Sequence, residues 1–135
     1  RVQKYARGAF ANVFRLTRSN IGDKDAISIA AALKMNTENL TILNLSHNQI
    51  GNKGAKYLGD SLKVNTSISS LDLSYNSISC EGIKSLADAL KVNISLESLN
   101  LEENNIGDKG AKSLADVLNV NTNLASLNLR NTQIS

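Results

Sequence analysis

Few side chains in this sequence could do covalent chemistry. The 135 residues include one Cys, Cys80, and one His, His47. A nucleophilic Cys or Ser needs a neighbouring base, most often His, and zinc needs about four Cys, His or carboxylate ligands. Cys80 follows Tyr75 by five residues, around a turn at a predicted helix start, so a Cys–His dyad is geometrically poor. The sequence therefore predicts that the chain is not an enzyme.

The remaining candidate chemistry is a carboxylate pair. Glu102 and Glu103 are adjacent, at the predicted end of a strand, and nothing near them in the pattern supplies a third metal ligand. A phosphate site would need a Gly-rich loop of the Walker type, and the glycines here are spaced by a long repeat instead. We therefore expect no metal and no cofactor.

Composition favours one folded domain of a non-membrane protein. Hydrophobic residues make up 41% and charged residues 20% of the chain, and no apolar run approaches the roughly 18 residues of a membrane span. A single Cys cannot form an intramolecular disulfide, which favours a reducing compartment. We expect a cytoplasmic location, or delivery into a host cytoplasm.

Positive charge is concentrated at the start of the chain. Residues 1–22 carry Arg1, Lys4, Arg7, Arg15 and Arg18 and no acidic residue. Nucleic-acid binding through this segment is one alternative function, because its five positive charges give an electrostatic footprint for phosphates. A simpler interpretation is that residues 1–10 form a short amphipathic helix that caps the domain and exposes its basic side.

A long internal repeat organises the rest of the sequence. The pattern L-x-x-L-x-L-x-x-N-x-I returns every 28 residues, with its central Leu at Leu43, Leu71, Leu99 and Leu127. Within it, Leu43 and Leu45 alternate with polar residues, as in a half-buried strand. Between copies, a helical period follows Gly54, Gly82 and Gly110. Each unit is therefore predicted to be a strand, a turn, a helix and a return loop.

Two sets of polar residues have predicted structural roles. Asn48, Asn76 and Asn104 follow the strands, where an amide can both donate to and accept from the turn backbone. Asp23, Asn52 and Asp108 stand at the helix starts, where each is predicted to cap its own helix. Cys80 takes the same position in another repeat and is predicted to be a weaker cap.

Stacked units of this kind give an α/β solenoid with a concave parallel sheet and convex helices. Its domain is predicted to cover residues 11–135, with a degenerate first repeat at 11–36, full repeats from about 37 and a partial last repeat at 121–135. Lys56 and Asp60, with their equivalents, are predicted to form solvated helix pairs on the convex side.

The concave face is predicted to present residues from equivalent strands in columns about 4.8 Å apart. We call three of these the first column (Arg15, Asn44, Asp72, Asn100, Asn128), the second column (Thr17, Ser46, Ser74, Glu102, Arg130) and the third column (Arg18, His47, Tyr75, Glu103, Asn131). All are predicted to point to solvent. The predicted partner-binding residues are Arg18, Asn44, His47, Asp72, Tyr75, Asn100, Glu102, Glu103 and Arg130, because aromatic and charged side chains anchor interfaces.

The repeat motifs resemble the leucine-rich repeat family, in particular its ribonuclease-inhibitor-like subclass, which includes NOD-like receptor sensor domains and the Ran GTPase-activating protein. The resemblance implies a horseshoe-shaped solenoid (a right-handed β-α superhelix) that binds another protein on its concave sheet. Ribonuclease inhibition itself is not expected, because those inhibitors are rich in Cys. Bacterial effectors share the plainer pattern found here. GTPase activation of the Ran type is the main alternative function.

The C-terminal end of the repeats raises a further expectation. The last copy stops after its strand, so Leu124, Leu127 and Leu129 have no following helix to cover them. An open strand edge above apolar side chains invites pairing with another chain. The sequence therefore predicts self-association through this end, or a longer natural protein.

Overall fold

The computed structural model describes residues 12–35 and 39–135, in which strands and helices alternate along the chain. The elements are β1 (Val13–Arg15), α1 (Asp23–Met35), β2 (Ile42–Asn44), α2 (Asn52–Leu62), β3 (Ser70–Asp72), α3 (Cys80–Leu90), β4 (Ser98–Asn100), α4 (Gly107–Leu118) and β5 (Ser126–Asn128). This confirms the predicted α/β repeat architecture. The capping helix predicted within residues 1–10 lies outside the described residues.

The strands form one parallel sheet in the order β1-β2-β3-β4-β5. Leu43 lies opposite Phe14 on one side and Leu71 on the other, so equivalent residues of successive repeats are in register. Backbone pairing continues past the strand ends, as where the His47 N–H donates to the Ser74 carbonyl at 3.0 Å. The register aligns the three columns across the sheet.

The apolar core lies between the sheet and the helices. It is built from the repeated Leu and Ile positions of every unit, including Leu43, Leu58, Leu71 and Leu86, which are almost completely buried. Leu127, in the last strand, is only partly buried against this core. The hydrophobic core is therefore continuous along the solenoid and thins at β5.

The Asn residues after the strands bond the turn backbone as predicted, and they also join neighbouring repeats. Asn76 Nδ2 donates to the carbonyls of Leu45, Leu73 and Ser74 at 3.0–3.2 Å, and its Oδ1 accepts from the Ile50 N–H at 2.9 Å. Leu45 and Ile50 belong to the preceding repeat. Thr132, at the same position in the last repeat, donates its hydroxyl to the Leu129 carbonyl at 2.6 Å.

The prediction that helix-start residues cap their own helices is wrong. Asn52 Oδ1 instead accepts from the N–H groups of Ser79 (2.9 Å) and Gly82 (3.0 Å), which belong to the next repeat. Asp23 Oδ1 contacts the next repeat in the same way. The reason is that Asp23 and Asn52 are the first helical residues rather than the residues before them. Their side chains therefore extend sideways to the neighbouring helix.

Of the other two members of this position, Cys80 differs, whereas Asp108 bonds the next repeat as Asn52 does. Cys80 forms no such bond to any described residue. In the next repeat, the Gly107 N–H donates to the Thr132 carbonyl at 3.0 Å, and Gly107 has a positive φ of 69°. Asp108 accepts from the Ser135 N–H and hydroxyl at 2.9 and 2.7 Å. These two hydrogen bonds lower the pKa of the Asp108 carboxyl from its ordinary value, and the bond from the Ser135 hydroxyl has the larger effect.

Close packing of the helix starts explains a repeated glycine. A Cβ at Gly82 would lie 2.7 Å from both Asn52 Oδ1 and Ile78 Cγ2. Any larger residue would therefore displace the inter-repeat bond of Asn52.

The helix surface differs in detail from the prediction. Lys63 pairs with Asp60 at 3.8 Å and Lys91 with Asp88 at 3.6 Å, both on exposed surface. The predicted pairing of Lys56 with Asp60 is wrong, because the lysine three residues after each Asp reaches it instead. Within the described part of the chain, no helix is long and apolar enough to cross a membrane.

Candidate functional site

The first column shapes the strand ends more than it faces solvent. Asn44, Asp72 and Asn100 are half-buried, and each accepts through Oδ1 from the backbone N–H two residues later, at 2.9–3.0 Å. These bonds turn the chain out of the strand. Sequence reasoning missed this role, although an Asn or Asp before a polar residue at a strand end is the usual signal for it.

The second column is divided between buried and accessible residues. Ser46 and Ser74 are buried, so the prediction that they point to solvent is wrong. The chain turns immediately after them, which places them under the exit loop, and Ser74 Oγ donates to Asp72 Oδ1 at 2.6 Å. Glu102 is half-buried and accepts from Asn128 Nδ2 at 3.2 Å, while Arg130 is exposed.

Every residue of the third column has a left-handed backbone. The φ angles are 53° at Arg18, 58° at His47, 56° at Tyr75, 57° at Glu103 and 55° at Asn131. Each backbone N–H of the first four donates to a carbonyl of the next repeat, at 2.8–3.2 Å. Left-handed backbone costs most L-residues free energy, and Asn tolerates it best apart from Gly. Asn131 therefore suits its backbone best.

The two aromatic side chains of the third column stack on each other. The ring centroids of His47 and Tyr75 are 4.2 Å apart and their planes differ by 10°. Tyr75 keeps 40% of its surface exposed and His47 is half-buried. The stack holds both rings in place, so they form a rigid, amphipathic surface just beyond the ends of β2 and β3.

A polar groove lies beside the third column, where the turns leave β3, β4 and β5. It has a volume of about 570 Å³ and is lined by Asn76, Ser77, Ser79, Glu103, Asn104, Asn105, Asn131 and Gln133. These residues come from three successive strand exits. Sequence reasoning missed the groove, because the predicted columns end at the residues just after the strands and the groove extends into the turns beyond them.

The site offers little for covalent or metal chemistry. Cys80 is a half-buried free thiol. Within residues 12–35 and 39–135, no three His, Cys, Asp or Glu side chains come together as a metal site would require. The structure brings His47, Tyr75 and Glu103 into one line and leaves Arg18 at one end of it and Arg130 in the neighbouring column.

Comparison with known proteins identifies the repeat. A family model described as leucine rich repeat matches residues 38–59, 64–87 and 92–115, which is more than half of the chain. The chain belongs to the leucine-rich repeat family. The ribonuclease-inhibitor-like subclass stays a prediction.

A solved structure of leiomodin-1 actin-binding site 2 is similar to this leucine-rich repeat chain, with a TM-score of 0.82 and 26% sequence identity. The match covers 87% of this chain and 69% of the leiomodin-1 chain. Comparison with curated protein sequences gives no match. The repeat family and the likeness to an actin-binding segment support a protein-binding module.

Proposed function

We propose that this leucine-rich repeat chain binds a partner protein through its exposed sheet face, with Tyr75 and His47 at the centre of the contact. The observation that carries the proposal is their ring stack, with centroids 4.2 Å apart, on an accessible surface. Aromatic side chains dominate the binding energy of most interfaces. Because the stack already fixes the Tyr75 ring, little conformational entropy is lost when a partner covers it.

The third column supports the same proposal through its backbone. His47, Tyr75 and Glu103 adopt left-handed conformations that Asn would adopt at lower cost. Strained, exposed positions of this kind cluster at binding sites. A face that served only to stay hydrated would gain stability from Asn at these positions.

One substitution pair tests this surface. Tyr75→Ala should weaken binding of the partner by at least about 1 kcal/mol, because it removes the ring that anchors the contact. Lys84→Ala, on an exposed position of α3, should leave the affinity unchanged. Isothermal titration calorimetry measures both, and an equal loss from the two variants would contradict the assignment of the sheet face.

Actin is the first partner to test. The support is the likeness to leiomodin-1 actin-binding site 2, at 26% identity over 87% of this chain. Co-sedimentation with filamentous actin and fluorescence titration with monomeric actin, each with the Tyr75→Ala and Lys84→Ala variants, would decide it. If actin binds the Tyr75→Ala variant as tightly as the parent chain, actin is a partner but does not bind the proposed surface.

The other functional hypotheses remain as predicted from the sequence. GTPase activation would appear as faster GTP hydrolysis by a Ran-type GTPase when the chain is added. Nucleic-acid binding rests on basic residues of which Arg1, Lys4 and Arg7 lie outside the described part of the chain. The cytoplasmic location and an effector role rest on the single Cys and on family resemblance.

A further inference from the structure

The two faces of the Tyr75 ring have different surroundings. His47, from the preceding repeat, covers one face with nearly parallel planes at 4.2 Å. Because the third column runs across the strands, the opposite face points toward the next repeat, where Glu103 occupies the equivalent position. The face of a phenol ring carries negative electrostatic potential and attracts cations.

Glu103 places a carboxylate in the next repeat, at the position equivalent to that of Tyr75. Its side chain is exposed, and the ion pairs found among the described residues are those of Lys63 with Asp60 and Lys91 with Asp88. Arg130, whose carbonyl accepts from the Glu103 N–H at 3.0 Å, forms no ion pair within the described residues. The Glu103 carboxylate is therefore available to a cation from outside the chain.

The groove beside Glu103 adds neutral hydrogen-bond acceptors. Asn105, Asn131 and Gln133 line it and are exposed, and each offers a side-chain carbonyl oxygen. The described residues that line the groove include no Lys or Arg. One carboxylate, several amide oxygens and an aromatic face match a guanidinium group, which is planar and has five N–H donors.

We propose that the Tyr75 ring face and the groove at Glu103 together receive an arginine side chain. This proposal rests on the proposed function, because the arginine belongs to the protein that covers the sheet face. The guanidinium stacks on the free face of Tyr75, donates to the Glu103 carboxylate, and uses its remaining N–H groups on the amide oxygens of the groove. A lysine ammonium would fit less well, because it is a compact charge without a plane to stack.

A small probe tests the site without knowledge of the partner. N-acetyl-arginine methylamide is titrated into the ¹⁵N-labelled full chain, and N-acetyl-citrulline methylamide serves as the uncharged isostere. The arginine probe should shift the amide resonances of Tyr75, Glu103 and Gln133, and the citrulline probe should bind about tenfold more weakly because it lacks the charge. Equal shifts from both probes, or no saturable shift from arginine, would overturn the proposal.

Two matched variants locate the binding energy. Glu103→Gln keeps the shape of the side chain and should remove the preference for arginine over citrulline. Glu81→Gln makes the same change at an exposed residue in the first turn of α3 and should keep it. Retention of the preference in Glu103→Gln, or its loss in Glu81→Gln, would contradict the assignment of Glu103.

Binding to the partner separates this proposal from the broader one. Loss of partner affinity in both Tyr75→Ala and Glu103→Gln supports the arginine site. Loss in Tyr75→Ala with full affinity in Glu103→Gln keeps the sheet face as the binding surface and overturns the arginine site. If neither variant loses affinity, the proposed function itself fails, while the probe titration still decides whether the groove binds guanidinium.

Discussion

At the scale of single residues, most residue types in the third column are poorly suited to the left-handed backbone that they adopt. Glu103 has φ 57°, and Asn131, at the same position in the next repeat, has φ 55°. Glu103→Asn should therefore raise the free energy of unfolding by up to about 1 kcal/mol, because Asn tolerates this region better. The same variant should bind the partner less well, since it removes the charge.

Urea unfolding measures the stability part of this prediction. Glu97→Asn is the matched control, because Glu97 is exposed and has no positive φ. It should leave the unfolding midpoint unchanged. A midpoint that falls in Glu103→Asn would show that the glutamate stabilises the fold through contacts of its own.

The Asn residues that follow the strands behave in the opposite way. Asn76 makes four hydrogen bonds to backbone groups of its own and the preceding repeat. Asn76→Ala should cost about 1–3 kcal/mol, because these backbone groups lose their partner. Asn105→Ala, an exposed Asn in the neighbouring turn, should cost little. Thermal unfolding of the two variants compares them directly, and similar midpoints would mean that water replaces Asn76.

At the scale of elements, the helices are held together at their starts. Asn52 joins α2 to the repeat of α3 through bonds to the Ser79 and Gly82 N–H groups, and its Nδ2 donates to Ser79 Oγ at 2.7 Å. Asn52→Ala should therefore cost about 1 kcal/mol, as the loss of a helix cap does. Cys80→Ala changes the same position one repeat later, where the described residues form no such bond, and should be nearly neutral.

Chemical denaturation of both variants gives the comparison. Equal costs would contradict the assignment of Asn52 as an inter-repeat cap, because Cys80 lacks the bonds to described residues that Asn52 makes. The contrast also explains a limit of sequence reasoning. The pattern identifies a capping residue type at a helix start, but it does not reveal whether the side chain faces its own helix end or the adjacent one.

The strands and helices could be predicted from the sequence because every repeat shows the same residue pattern. The change from the strand period around Leu43 and Leu45 to the helical period around Leu58 and Leu62 locates β2 and α2 within about two residues. The burial of Ser46 and Ser74 could not be predicted from the sequence, because it depends on the left-handed turn at His47 and Tyr75. Residue type gives no warning of such a turn when the residue is neither Gly nor Asn.

At the scale of the whole molecule, a repeat is predictable and a site built across repeats is less so. The columns follow from stacking alone, so the 28-residue spacing is enough to align His47, Tyr75 and Glu103. The groove depends on how far each exit loop extends, and Asn105 and Gln133 are unremarkable residues in the sequence. Their role appears only when three strand exits are placed side by side.

The last strand gives a prediction about the assembly of the whole chain. Leu90 is 1% exposed, whereas Leu118, the equivalent residue of the next repeat, is 50% exposed, and the outer edge of β5 pairs with no strand among the described residues. Unpaired edges above apolar surface promote association. We expect the 135-residue chain to self-associate through this face, so that the mass from light scattering rises above 14.5 kDa with concentration.

Substitution on that face should identify it as the contact. Leu118→Glu places a charge on the exposed end of the core and should return the chain to a monomer at concentrations where the parent associates. Val64→Glu makes a similar change at a residue that is 60% exposed after α2, away from β5, and should leave the association intact. A polar helix appended after Ser135 should act like Leu118→Glu, because it covers Leu127 and Leu129. A mass that stays at 14.5 kDa at every concentration would contradict the prediction, and association that persists in Leu118→Glu would place the contact on another face.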